Sequence, residues 1–153
     1  SFCVHRGLIT YWSPYFRNAF NGSFKEAEEK EITLEDVEPS IFKTFMAWMY
    51  SQNIVLDKPI VKLPEPEPEN TAYGDSDQTL TAVLYSTLVD LYIFADEYDI
   101  KQLRIDVIEM IHSANTNCKH FIPDIRAVSK ALHNLPPTSG LYRYLVNVYV
   151  GDW

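Results

Sequence analysis

The sequence predicts an α+β protein in which helices dominate and a small β-sheet completes the core. Most of the chain repeats apolar residues every three or four positions, and the strongest such stretch runs from Thr79 to Tyr98. That spacing is typical of amphipathic helices. Three short stretches, residues 2–5, 32–34 and 54–56, are alternating or apolar and are predicted strands. The expected order is strand, helices, strand, helix, strand and four further helices.

Two helices and a charged connector are predicted in the first half of the chain. A short apolar stretch over residues 6–11 leads to Ser13 and Pro14. These two residues start a helix, because serine caps free backbone amides and proline fits the first helical position. The helix is expected to end at Phe20, and the connector occupies residues 24–30. A second helix is predicted from Pro39 to Ser51, with an apolar face formed by Ile41, Phe42, Phe45, Met46, Trp48 and Met49.

A sharp change of composition separates this half from the next. Residues 64–78 contain five carboxylates and no lysine or arginine, and the stretch opens with alternating proline and glutamate. Proline removes backbone donors and like charges repel each other. Residues 57–78 are therefore predicted to form a disordered surface insertion. Four helices are predicted after it, over Thr79–Tyr98, Lys101–Ala114, Ile122–His133 and Gly140–Val150.

Length and charge restrict the classes of function. A chain of 153 residues suits one domain with its own core. The formal net charge is −8, and a nucleic-acid binder normally presents a basic face. Two cysteines make no disulfide framework, and no apolar run approaches the roughly 18 residues of a membrane span. We therefore expect an intracellular protein, cytoplasmic and/or nuclear, that binds neither nucleic acid nor membrane.

The sequence contains no recognisable catalytic pattern. It lacks a Gly-rich phosphate loop and the G-x-S-x-G and H-E-x-x-H motifs. Its carboxylates are concentrated in the insertion and the connector, whereas an acid–base pair needs burial to separate the two pKa values. The four histidines share no motif spacing; they are His5, His112, His120 and His133. We therefore predict a non-enzymatic protein with no catalytic residue and no cofactor.

Two Cys-x-His pairs offer a less favoured alternative, a zinc site. Cys3 with His5, and Cys118 with His120, would supply four ligands of the types that zinc prefers. Structural zinc sites usually have wider spacing within each pair. A core cysteine beside a hydrogen-bonded histidine is the simpler interpretation, so the prediction is that no metal is bound.

Several segments resemble the BTB/POZ family in both order and spacing. The run Leu91–Ile100, with Leu103 after it, is similar to the family's A-D-K-Y-x-I-x-x-L signature. Other segments that resemble the family's pattern are Phe2–Ile9, Ser13–Phe20 with Phe24–Glu26, Ile32–Phe42 and Trp48–Ser51. The Pro-Glu insertion and the C-terminal tail are similar in style to BTB domains of filamentous fungi.

This resemblance implies a domain organisation. A helix-dominated BTB/POZ fold with a small β-sheet would occupy residues 1–114 and contain the acidic insertion at about residues 57–78. Extra C-terminal helices, in residues 115–153, would pack on it as an extension. The family's N-terminal hairpin carries an Asp that pairs with the His-Lys/Arg site; here the hairpin is missing or lies upstream of Ser1.

The resemblance also implies protein–protein interaction, in one of two modes. The first is a substrate adaptor that recruits a cullin scaffold for ubiquitin ligation through a hydrophobic-x-Glu element, which Phe24 and Glu26 match. The second is a self-associating domain, a homodimer in a transcriptional or scaffolding regulator. Tyr11 and Trp12 are consecutive, so both cannot be deeply buried, and an exposed aromatic often anchors an interface. The candidate residues for self-association are Leu8, Ile9, Tyr11, Trp12 and Tyr15.

Overall fold

The computed structural model describes residues 1–22, 25–56, 75–117 and 124–150. Within these ranges the backbone forms eight helices and no strand. None of these helices, as far as they are described, is both long and apolar enough to cross a membrane. The helices are α1 Arg6–Trp12, α2 Pro14–Asn21, α3 Lys25–Glu29, α4 Pro39–Ser51, α5 Asp75–Glu97, α6 Lys101–Asn117, α7 Ile125–Asn134 and α8 Gly140–Val150.

The predicted small β-sheet is not confirmed by the described part of the chain. Residues 2–5, 32–34 and 54–56 are all irregular there. Their alternation still indicates which side chains point inward, because Ile32 and Leu34 pack against the core whereas Thr33 is exposed. Alternating burial requires only an extended backbone, but a strand also requires a neighbouring backbone to complete its hydrogen bonds. The sequence pattern reports the first requirement and not the second.

Most predicted helices are present, with differences at their ends. The connector contains a short helix, α3. Helix α5 begins at Asp75 and not at Thr79, so the last four residues of the predicted insertion are helical. The rest of that insertion, residues 57–74, lies outside the described residues. Helix α7 begins three residues later than predicted, because Asp124 caps it by accepting a hydrogen bond from the Arg126 amide.

Helix α5 is the centre of the packing. It contacts α4, α6 and α7. The ring of Phe94 on this helix lies 5.1 Å from the ring of Phe45 on α4 and 4.7 Å from that of Tyr98, centroid to centroid. Edge and tilted arrangements of this kind add to the free energy gained by burying the rings. The buried residues of α5 and the turn after it are Tyr85, Leu88, Val89, Leu91, Tyr92, Phe94, Ala95, Tyr98 and Ile100.

The turn between α5 and α6 accounts for the run Ala-Asp-Glu-Tyr-Asp-Ile. Asp99 has a positive φ of 50°, and the Ile100 amide donates to the Ala95 carbonyl at 2.7 Å, which closes the helix end. Arg104 on α6 then reaches back, with its Nη1 2.7 Å from a carboxylate oxygen of Asp96 and its Nη2 3.3 Å from one of Asp99. The motif thus ends one helix and fixes the direction of the next.

The two C-terminal helices pack on the same core. Helix α7 contacts α5 and α8, and α8 contacts α6. The Leu141 amide at the start of α8 donates to the Tyr92 hydroxyl at 3.2 Å. A Cβ atom on Gly140 would lie 2.9 Å from Cδ1 of Ile108, so glycine permits this close approach. Helix α6 continues through residue 114, and the division there into a domain and an extension stays a prediction.

Candidate protein-interaction surface

Ser13 joins the first two helices and ties them to the core. It is the N-cap of α2, because its hydroxyl oxygen accepts a hydrogen bond from the Phe16 amide at 3.1 Å. The same hydroxyl donates to the Tyr98 carbonyl at 2.6 Å, and Ser13 is fully buried. A buried carbonyl at the end of α5 is thereby satisfied. The rings of Phe16 and Tyr98 stack nearby, 5.3 Å apart and 6° from parallel.

Two arginines fasten α1 and α2 to each other at their C-terminal ends. Arg6, in the first turn of α1, donates from Nη2 to the Phe20 carbonyl at 2.8 Å and to Oδ1 of Asn21 at 2.6 Å. Arg17, in α2, donates to the carbonyls at the end of α1, those of Thr10 at 2.9 Å and Tyr11 at 3.2 Å. Carbonyls at a helix end lack intrahelical partners and carry partial negative charge, so cationic donors stabilise them.

The five residues predicted for self-association are divided between core and surface. Ile9 is buried, and Leu8 packs against the core from a partly buried position. Trp12 also packs inward, with its ring 5.0 Å from the Trp48 ring, and its Nε1 is buried without a hydrogen-bond partner in the described part of the chain. Tyr11 is 68% exposed and Tyr15 is 43% exposed. Of the five, these two tyrosines are the ones that present a large surface to solvent.

The two residues predicted for cullin binding are not both described. Phe24 lies outside the described residues, so its surroundings stay a prediction. Glu26 lies in the first turn of α3 and is partly buried. The principal packing of α3 is with α2, and none of its described side chains joins the buried core. Glu26 and Glu28 in the first turn match the positive end of the helix dipole.

The zinc alternative receives no support from the described residues. Cys3 is a free, exposed cysteine, and the His5 ring lies edge-on to Tyr50 with 6.3 Å between centroids. Cys118 and His120 fall outside the described residues. Within the described ranges no group of three or more His, Cys, Asp or Glu side chains is arranged to hold a metal ion. The expectation that no metal is bound therefore stays a prediction.

The polar contacts between helices were not predicted from the sequence. Trp48 Nε1 donates to Oδ2 of Asp106 at 2.8 Å, and Gln102 donates to the other oxygen of that carboxylate, also at 2.8 Å. Asn115 donates to the Tyr144 hydroxyl at 2.9 Å, which links α6 to α8. Asp106 and Gln102 are four residues apart on one helix, so helix geometry could have predicted their contact. Their contact with Trp48 depends on the tertiary packing.

Burial alters the ionisation of the tyrosines in this core. Burial raises the pKa of Tyr98 to about 12, and the negative charge of Glu97 adds to the effect. Burial also raises the pKa of Tyr85 and of Tyr149 above the ordinary tyrosine value. All three therefore favour the neutral form in the folded protein. None of them has the lowered pKa that a tyrosine acting as a base would need.

A family model described as BTB/POZ domain matches residues 1–64. The chain is 30% identical over 104 residues to BTB/POZ and MATH domain-containing protein 5 of Arabidopsis thaliana, covering 68% of this chain and 23% of that protein. No solved structure is significantly similar to this chain.

Two animal relatives extend the similarity. Kelch-like protein 41 of Mus musculus is 37% identical over 57 residues, which cover 37% of this chain and 9% of that protein. Kelch-like ECH-associated protein 1A of Danio rerio is 26% identical over 117 residues, which cover 73% of this chain and 20% of that protein. The chain thus spans between 9% and 23% of the length of these relatives.

These relatives come from a plant and from vertebrates, so the predicted similarity to fungal BTB domains stays a prediction. The BTB/POZ resemblance itself is confirmed by the family model, and it covers α1 to α4. The chain therefore carries, in residues 1–64, a BTB/POZ domain.

Proposed function

We propose that this protein is a non-enzymatic interaction module inside the cell, and that it recruits a cullin scaffold as a substrate adaptor for ubiquitin ligation. The observation that carries the proposal is the position of α3. This charged helix is held on α2, and none of its described side chains joins the buried core. A helix so placed offers its side chains to another protein without disturbing the fold.

The comparisons support binding as the general function. The BTB/POZ family model matches residues 1–64, which hold α1 to α3, and Kelch-like protein 41 is similar to this chain over 57 residues. One relative is named for its association with another protein, ECH. A binding role for this chain agrees with both, whereas the cullin as partner rests on the match of Phe24 and Glu26 to the family's hydrophobic-x-Glu element.

Phe24 and Glu26 would contribute to cullin binding in different ways. Seating the phenyl ring of Phe24 in an apolar groove of the partner would contribute roughly 2 kcal/mol through burial. Glu26, at the partly buried first turn of α3, would accept a hydrogen bond or pair with a cation at the rim. A rim charge of this kind affects orientation and association rate more than affinity.

A binding experiment with matched variants tests this proposal. The affinity of the cullin N-terminal domain is measured by calorimetry for wild type, Phe24→Ala, Glu26→Ala and Glu28→Ala. We expect Phe24→Ala to weaken binding at least tenfold, as the loss of roughly 2 kcal/mol requires. Glu26→Ala should have a smaller effect, and Glu28→Ala, which removes the same charge from an exposed neighbour, almost none. Unchanged binding by Phe24→Ala would contradict the proposal.

The exposed tyrosines favour a second candidate function, self-association. Tyr11 and Tyr15 leave large aromatic surfaces in solvent on adjoining helices. Tyrosine is among the residues most often found at the centre of protein interfaces. A homodimer of a regulatory or scaffolding protein would bury both rings at once.

Sedimentation at micromolar concentration distinguishes the two candidates. Self-association predicts a dimer that Tyr11→Ala dissociates and that Phe24→Ala leaves intact. Cullin recruitment predicts that Phe24→Ala weakens cullin binding and that Tyr11→Ala does not. Each variant is therefore the control for the other. A wild type that remains monomeric at these concentrations would remove self-association as a function.

A further inference from the structure

Arg6 makes a pair of contacts that no part of the proposed function uses. Its Nη2 lies 2.8 Å from the Phe20 carbonyl and 2.6 Å from Oδ1 of Asn21. Those two acceptors are the last residues of α2, fourteen and fifteen positions along the chain. Gly22 then continues in an extended conformation, with φ −76° and ψ −176°. Arg6 therefore holds the point at which the chain leaves α2.

Helix α3 follows that point in the sequence. It begins at Lys25, three residues after the extended Gly22, and its principal packing is with α2. Its described side chains contribute nothing to the buried core. A helix of five residues is not stable by itself in water. The direction of α3 therefore depends on its packing against α2, whose last two residues Arg6 contacts.

Arg17 provides a natural comparison within the same helix pair. It also donates to helix-end carbonyls, but to those of Thr10 and Tyr11 at the end of α1. That end leads directly into Ser13, which the core holds through the Tyr98 carbonyl. Loss of Arg17 would loosen the pair without releasing the chain that leads to α3. The two arginines thus share the same chemistry, but only the helix end held by Arg6 leads into α3.

We infer that Arg6 is a positioning residue for partner recruitment: it sets the orientation of α3, and hence of Glu26, through the end of α2. This inference rests on the proposed function for its partner. A binding helix that is already oriented loses less conformational freedom on association. Removing Arg6 would leave the Glu26 side chain unchanged, but its orientation would no longer be fixed. The partner would then bind more weakly, because part of the binding free energy would be used to order α3.

The test measures cullin affinity and thermal stability for Arg6→Ala, Arg17→Ala and Arg6→Lys. Both alanine variants should lower the melting temperature by similar amounts, because each removes two exposed hydrogen bonds to a helix end. Arg6→Ala should weaken cullin binding by about tenfold, whereas Arg17→Ala should change it by less than about twofold. Arg6→Lys should recover part of the affinity, since a single nitrogen makes both contacts of Arg6.

Hydrogen–deuterium exchange gives a measurement that does not require the partner. The amides of α3 should exchange faster in Arg6→Ala and unchanged in Arg17→Ala. Asn21→Ala removes one of the two acceptors and should produce a smaller effect in the same direction. In Arg6→Ala combined with Asn21→Ala the losses should be less than additive, because both substitutions break the same contact.

The possible outcomes separate the two proposals. Equal loss of affinity in Arg6→Ala and Arg17→Ala would overturn the inference, because the effect would then reflect general loosening of the pair. Unchanged exchange of α3 in Arg6→Ala would overturn it as well. If wild type fails to bind the cullin, the proposed function is wrong and the partner role of Arg6 falls with it. Exchange then decides independently whether Arg6 orders α3.

Discussion

The α5–α6 junction and the α1–α2 pair are both helical turns containing tyrosine and arginine, yet they place these side chains differently. At the junction Tyr98 is buried and Arg104 pairs with two carboxylates. In the α1–α2 pair Tyr11 and Tyr15 remain exposed, and the arginines bind backbone carbonyls. Aromatic surface is used for packing in the first region and left for solvent or a partner in the second.

Tertiary packing produces this difference. The chain after α5 turns through Asp99 in the left-handed conformation and places α6 against α5, and the Tyr98 ring packs against Phe94 of α5 and Phe16 of α2. The turn between α1 and α2 is anchored from beneath by Ser13, and the helices spread over the surface of α4 and the end of α5. One face of each is covered by the core. Tyr11 and Tyr15 stay exposed, although the Tyr15 ring also lies edge-on to the Tyr98 ring with 5.0 Å between centroids.

The largest effect is expected where the two regions meet, at Trp48. Its ring lies 5.0 Å from Trp12 of α1, and its Nε1 donates to Asp106 of α6. Trp48→Ala should lower the free energy of unfolding by about 3–5 kcal/mol, since it opens a cavity in the fully buried core. Tyr50→Ala, on the exposed side of the same helix, is the control and should cost less than about 0.5 kcal/mol. Urea unfolding monitored by circular dichroism measures both; similar losses would show that α4 does not separate core from surface.

A loss of about 2 kcal/mol is expected for Ser13→Ala. The substitution removes the cap of α2 and leaves the Tyr98 carbonyl buried without its donor. Ser51→Ala provides the comparison, because the hydrogen bonds of the Ser51 hydroxyl are exposed: it donates to the Ala47 and Asn53 carbonyls and accepts from the Asn53 amide. Urea unfolding should show an effect several times larger at Ser13. A Ser13→Ala loss no greater than that of Ser51→Ala would show that this serine does not fasten the pair to the junction.

Alkaline pH should destabilise the junction. The pKa of Tyr98 is raised to about 12 in the folded protein, mainly by burial, whereas the unfolded value is near 10. Between these values the unfolded chain loses the proton first, so the contribution of Tyr98 to stability is constant below about pH 10 and falls as pH rises towards 12. Melting temperatures measured across this range should fall less steeply in Tyr98→Phe. The fall should not vanish, because burial also raises the pKa of Tyr85 and Tyr149; identical slopes in both proteins would contradict the assignment.

The two regions also differ in how far the sequence predicted them. The junction was recognisable because its contacts are local: Asp96, Asp99 and Arg104 lie within nine residues of one another. The start of α2 at Ser13 and Pro14 was predicted for the same reason. Helix geometry predicted that Tyr11 and Trp12 cannot both be deeply buried, although it did not predict which of them would face outward.

The features that the sequence could not predict depend on distant neighbours. The contacts of Arg6 with the end of α2 require knowledge of how two helices cross, since a backbone carbonyl leaves no mark in the sequence. The same holds for Ser13 and the Tyr98 carbonyl, 85 residues apart. The predicted sheet is not confirmed in the described residues for the same reason, because alternation at Ile32 and Leu34 indicates burial and not a partner strand. Local rules thus predicted most of the helices and the cap at Ser13, and tertiary contacts decided the rest.

The smallest effect on stability is expected for Tyr11→Ala, and it is the sharpest test of the comparison. Tyr11 is 68% exposed, and its ring touches only its neighbour Trp12 among the aromatic contacts described. The free energy of unfolding should change by less than about 0.5 kcal/mol. Tyr92→Ala, at a buried tyrosine of α5, should cost several kcal/mol as the matched control. A loss above about 1 kcal/mol in Tyr11→Ala would mean that Tyr11 is used for packing, as Tyr98 is at the junction, and the contrast between the two regions would not hold for this tyrosine.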